Sequence, residues 1–155
     1  MRLEDVILLS AMGPPGGGRT FITNRYTRHF NVIAYTELST STITEIFSVL
    51  VASFLRRFNE GIRNSLDKLI SSVLSVFQQV KECMLPTPAK SHYTFNLRDI
   101  WKVFQGICSS SPKQTSDITS MVRLWYHENM RVFHDRLTTE EDRSQLKSIL
   151  KSGFG

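Results

Sequence analysis

The pattern of apolar and polar positions changes near residue 40, from unbroken apolar runs to helical spacing. Val6-Ile7-Leu8-Leu9-Ser10-Ala11-Met12 is a continuous apolar run that stops at Gly13-Pro14-Pro15-Gly16-Gly17-Gly18. A short run bounded by breakers predicts a strand buried on both faces. Phe30-Asn31-Val32-Ile33-Ala34-Tyr35 is β-branched and aromatic and reads the same way. Two such strands cannot form a sheet core by themselves, so they call for neighbours supplied by other polypeptide.

Beyond residue 40 the period is that of a helix. Thr42 and Glu45 have capping-box spacing, and Ile43, Phe47, Leu50, Phe54 and Phe58 recur every three or four residues. Gly61 predicts a break. The next stripe, Ile62, Leu66, Leu69, Val73, Phe77, Val80 and Met84, is the strongest helical signal and ends before Leu85-Pro86-Thr87-Pro88. Asn96 predicts an N-cap with Asp99 three residues on, and the apolar face is Leu97, Ile100, Trp101, Phe104 and Ile107. Ser109-Ser110-Ser111-Pro112 reads as a loop. Asp117 opens a helix through Val122, Trp125, Val132 and Phe133. Thr138 and Glu141 repeat the capping-box spacing ahead of Leu146, Ile149 and Leu150. Trp101, Phe104, Trp125 and Phe133 are read as core residues.

Composition adds limits. The chain has 155 residues, 41% of them apolar and 21% charged, the make-up of a folded protein. No apolar run reaches the roughly 20 residues of a membrane-spanning helix, and no secretory leader is read at the N-terminus. Cys83 and Cys108 lie far apart without CxxC spacing, so neither a disulfide framework nor a zinc site is expected. The net charge is +5, but the 19 basic residues are spread along the chain instead of forming blocks. That reads as a solvated surface, with a polyanion groove as the alternative.

Three motifs bear on chemistry. Gly13 to Thr20 fits the phosphate-loop pattern G-x-x-x-x-G-K-[ST] with Arg19 for lysine. Such loops work by pointing backbone N–H groups at phosphate, and Pro14 and Pro15 remove two of them. The segment reads better as a glycine-rich turn that aims Arg19 away from a strand end. Arg19, Arg25 and Arg28 then follow one another closely. They suit bidentate phosphate contacts, or else form an ordinary basic loop. Arg98 falls in the first turn of a capped helix, where a cation opposes the helix dipole; it reads as a solvent-facing arginine paired with Asp99 or a neighbour, with a compensating anion such as a γ-phosphate as the alternative. His127-Glu128 begins a zincin-like pattern, but Arg131 stands where the second histidine is needed, so no metal site is expected.

Several of these segments are shared with a known family. Ala11 to Arg19, Arg25-Tyr26-Thr27-Arg28-His29-Phe30-Asn31, Pro86 to Asp99, Val103-Phe104-Gln105-Gly106, Met121 to Asn129 and Arg131 to Leu137 resemble, in that order, the dynein heavy chain. The likeness is to the third AAA+ module of the motor ring, from its fourth core strand onward, and the Gly-Pro-Pro-Gly-Gly-Gly-Arg form resembles axonemal heavy chains.

The resemblance implies a mainly α AAA+ fragment: two strands of an α/β large subdomain, then a helical lid bundle. Residues 1–58 would close the large subdomain and 59–155 would be the lid. It implies nucleotide-sensing roles for Arg98 (sensor II), Gly13 (where many modules place the sensor I asparagine) and Arg19, and arginine-finger roles for Arg28 and Arg25 toward the preceding module. ATP or ADP with magnesium would be bound by the parent ring and not tightly by this chain, whose phosphate loop and acidic strand would precede Met1. Implied partners are neighbouring AAA+ modules and, through the parent, microtubules and intermediate and light chains, with no nucleic acid and no membrane. The implied location is the cytoplasm and cytoskeleton, in the axoneme of the cilium. The alternatives are a stand-alone helical interaction module without a nucleotide role and a basic nucleic-acid binder.

Overall fold

A computed structural model of the chain describes residues 5–13, 20–36 and 38–153. The chain divides into two compact units, residues 1–37 and 38–155. This division falls ahead of the boundary expected at 58/59.

In the first unit, helix α1 (Asn24–Thr27) lies between described stretches without regular secondary structure. Its turn is closed by Tyr26 N–H donating to Thr23 C=O at 3.0 Å, and the Tyr26 and Phe30 rings lie 5.2 Å apart. No strand occurs among the described residues, which corrects the expectation of strands at Val6–Met12 and Phe30–Tyr35. The physical reason is that a strand exists only through a hydrogen-bonded neighbour, and none is present among the described residues. Ile7 is 94% exposed and Leu9 98%.

The second unit is a helical bundle. Helix α2 (Thr40–Leu55) is followed by the short α3 (Glu60–Arg63), α4 (Leu66–Cys83), α5 (Leu97–Cys108), α6 (Ile118–Val132) and α7 (Glu140–Ser152), with single 3₁₀ turns at Pro88–Lys90 and His134–Arg136. Helix α4 packs against α2, α5 and α7, and α5 also packs against α2 and α6. Val73, Val76 and Val80 of α4, Ile100, Val103 and Ile107 of α5, and Trp125, Phe133 and Leu146 are fully buried and form the centre of the core.

Several element boundaries and faces differ from the spacing. The N-cap of α2 is Ser39, whose Oγ accepts from Thr42 N–H at 3.2 Å, so the helix starts ahead of Thr42 and Glu45 takes no part in the cap. Its buried face is Phe47, Val51 and Leu55, while Leu50 is exposed. The break after α2 comes at Arg56–Asn59, not at Gly61, which lies within α3. Phe58 turns into the core there, and Asn59 Nδ2 donates to Ser116 C=O at 2.9 Å instead of capping its helix.

Asn96 and Asp99 form the expected capping box on α5. Val103 takes the core place expected of Trp101, which is 48% exposed beside a groove of about 320 Å³ between α2 and α5, although Phe47 and Phe104 stack at 4.5 Å beneath it. Leu97 is exposed too. Asp117 occupies the N-cap of α6, but its carboxylate takes the Ser120 hydroxyl, not a backbone N–H. The N-cap of α7 is Thr139, not Thr138. Its hydroxyl donates to Asp142, which also accepts from Tyr93 Oη at 2.8 Å and from Lys90 Nζ, so the start of α7 is fixed by the 88–93 segment.

Candidate nucleotide-sensing site

The first turn of α5 is built by reciprocal bonds. Asn96 Oδ1 accepts from Arg98 N–H at 2.9 Å, and Asp99 Oδ2 accepts from Asn96 N–H at 3.0 Å. These satisfy donors that the start of a helix leaves open. Arg98 is exposed, and its guanidinium has no ion pair among the described residues. Asp99 does not pair with it. The Asp99 carboxylate is buried, with Arg136 Nη1 at 2.9 Å and Lys102 Nζ at 3.8 Å from Oδ1.

Arg136 is the residue that the sequence did not single out. Its Nη2 donates to His92 C=O at 3.0 Å and Thr94 C=O at 3.2 Å, and its guanidinium lies 4.8 Å from the centre of the Phe95 ring. No spacing rule could find it, because it is 37 residues from Asp99. The one signal was the buried-side aspartate at the third helical position, a charge that needs a partner.

The other expected site residues belong to the first unit. Arg25 is exposed on α1. Arg28 ends that helix, and its Nε donates to His29 Nε2 at 3.2 Å. Gly13 is exposed. Arg19 lies outside the described residues.

Glu128 is buried on α6 and pairs with Arg131 at 2.7 Å. The residue standing where a zincin would place histidine is therefore the glutamate's counter-ion. Among the described residues no group of three or more His, Cys, Asp or Glu side chains is placed to hold a metal ion. No described helix is long and apolar enough to cross a membrane.

Residues 50–143 match the family model described as "Dynein heavy chain, ATPase lid domain", and residues 1–38 match "P-loop containing dynein motor region". The chain belongs to the dynein heavy chain family. Among its relatives, dynein axonemal heavy chain 1 of Rattus norvegicus is 42% identical over 161 residues, covering 96% of this chain and 4% of that protein. Dynein axonemal heavy chain 12 of Mus musculus is 41% identical over 98% of the chain and 5% of its own length. Dynein axonemal heavy chain 3 of Homo sapiens is 40% identical over 96% of the chain and 4% of its own length. The chain thus spans only 4–5% of the length of these dynein heavy chains. The lid match covers α4 to α6, so the capped arginine of α5 sits inside the dynein lid segment.

Proposed function

We propose that this chain is part of one AAA+ module, the third, of an axonemal dynein heavy chain, a microtubule motor driven by ATP toward the minus end in cilia and flagella. Residues 1–58 close the large subdomain and 59–155 form the lid. The segment senses nucleotide and couples ring modules, and the chain lacks Walker motifs of its own. ATP or ADP with magnesium is held by the parent ring. The partners are adjacent modules of the same heavy chain and, through the parent, microtubules and intermediate and light chains.

One observation carries the sensing role. Arg98 presents an exposed cation, free of ion pairs among the described residues, from the first turn of a helix whose start is fixed by two side chains. A cation there works against the helix dipole, and a phosphate within reach would reverse that cost. Gly13 and Arg19 are assigned to the same sensing role, and Arg28 and Arg25 to the nucleotide of the preceding module. Arg98 is the group in this chain that would meet the γ-phosphate. Nucleotide-dependent rocking of the lid would then carry the signal onward.

The test is Arg98→Ala in the full motor. A raised ATP requirement for half-maximal activity supports the reading. An unchanged nucleotide response removes it and leaves the stand-alone interaction module. The isolated chain is expected to show no ATP turnover.

A further inference from the structure

We infer that Arg136 is a positioning residue for Arg98, tying the start of α5 to the junction of α6 and α7 so that the sensing arginine and the far end of the lid move as one body. The inference rests on the sensing role proposed for Arg98.

Arg136 grips both sides of the cap. Ahead of it, the guanidinium holds the carbonyls of His92 and Thr94 and covers Phe95. Behind it, the same group neutralises Asp99 Oδ1 while Asp99 Oδ2 holds the amide of Asn96. The return contact, between His92 Nε2 and Arg136 C=O at 3.0 Å, fixes the backbone of Arg136 itself. Arg98 lies between these anchored points, and its own amide is held by Asn96.

The planar fork of arginine meets three acceptors in fixed directions, which the single ammonium of lysine cannot do. Arg136 closes the 3₁₀ turn that follows α6, and the buried Leu137 and the Tyr93–Thr138 contacts come immediately after it. A displacement of the α5 first turn therefore reaches the start of α7 through one side chain.

The experiment uses the full motor carrying Arg136→Gln, Arg136→Lys, Arg98→Ala and the double variant Arg98→Ala/Arg136→Gln. Arg136→Gln is expected to raise the KM for ATP about fivefold or more, with a smaller change in kcat. The double variant is expected to be no worse than Arg98→Ala alone, because both changes disable one unit. Arg136→Lys, which keeps the charge on Asp99, is expected to fall between Arg136→Gln and the unmodified motor. Additive effects, or a KM that stays fixed while only thermal stability falls, would overturn the inference.

If Arg98→Ala itself leaves KM unchanged, the sensing role fails and the positioning claim is read by amide exchange across residues 96–99. Exchange about tenfold faster in Arg136→Gln supports positioning. Unchanged protection there overturns it.

Discussion

Gly106 on α5 and Glu128 on α6 claim the same space: a Cβ added at Gly106 would stand 1.8 Å from Glu128 Oε2. The glutamate cannot swing aside without cost. It is buried, it pairs with Arg131, and Arg131 is itself held by the Lys102 carbonyl at 3.2 Å. Gly106→Ala is expected to destabilise the bundle by about 2 kcal/mol in urea unfolding. Shortening the partner should relieve the collision, so Gly106→Ala/Glu128→Ala is expected to lose less than the sum of the single changes. A strictly additive pair would show that the two side chains do not compete.

Asp142 makes stability depend on acid. Hydrogen bonds from Lys90 first, then from Thr139 and Tyr93, hold its carboxyl at about 2, below the ordinary 3.8. A depressed carboxylate contributes stability that is present above its unfolded pKa, near 4, and lost as pH falls through about 2. The wild-type urea midpoint is therefore expected to fall between about pH 4 and 2 by an amount missing in Asp142→Asn. At neutral pH that variant is expected to be weaker by about 1 kcal/mol, because solvent near the carboxylate screens the pair. The same bond raises the Lys90 ammonium above its ordinary 10.5, so its contribution holds below that value and is lost at higher pH.

The two tryptophans separate core from surface. Trp125 is 1% exposed and Trp101 48%. Trp125→Ala is expected to cost about 3–5 kcal/mol by leaving a cavity, and Trp101→Ala about 1 kcal/mol for the area it covers. Acrylamide should quench the Trp101 emission first. Equal quenching of the two single-tryptophan variants would contradict this placement.

The two thiols differ in the same way. Cys83 is exposed, whereas Cys108 is half-buried and burial pushes its thiol pKa up. The thiolate is the reactive form. Iodoacetamide at neutral pH is expected to modify Cys83 well before Cys108, and mass spectrometry of the cysteine peptides reads the order.

Much of the helical part could be read from spacing, because each of its longer helices carries a periodic apolar face. The Asn96–Asp99 cap was legible because every atom it uses lies within one turn. Phe47 and the buried face of α4 from Leu69 to Val80 were legible from helical spacing, whereas Phe58 and Ile62 enter the core from outside those two helices. The exposure of Trp101 was not legible, since periodicity gives the direction of a residue but not the depth of packing above it. The cap of α2 lies three residues ahead of the expected Thr42, at Ser39, and that of α7 one residue beyond the expected Thr138, at Thr139, where Lys90 and Tyr93 from a distant segment hold Asp142 in the first turn. Arg136 and the Gly106–Glu128 collision are tertiary facts that leave no local trace. The strands failed for a plainer reason: a sheet is a property of several segments, and the pattern of one cannot supply the others.

The bare apolar stretch around Ile7 and Leu9 has a practical consequence. Its backbone donors and acceptors have no ladder to join among the described residues, which makes it a template for another copy. Concentration thus becomes a variable in any measurement on the isolated polypeptide: dilute samples are expected to report on the helical bundle, and concentrated ones to scatter light.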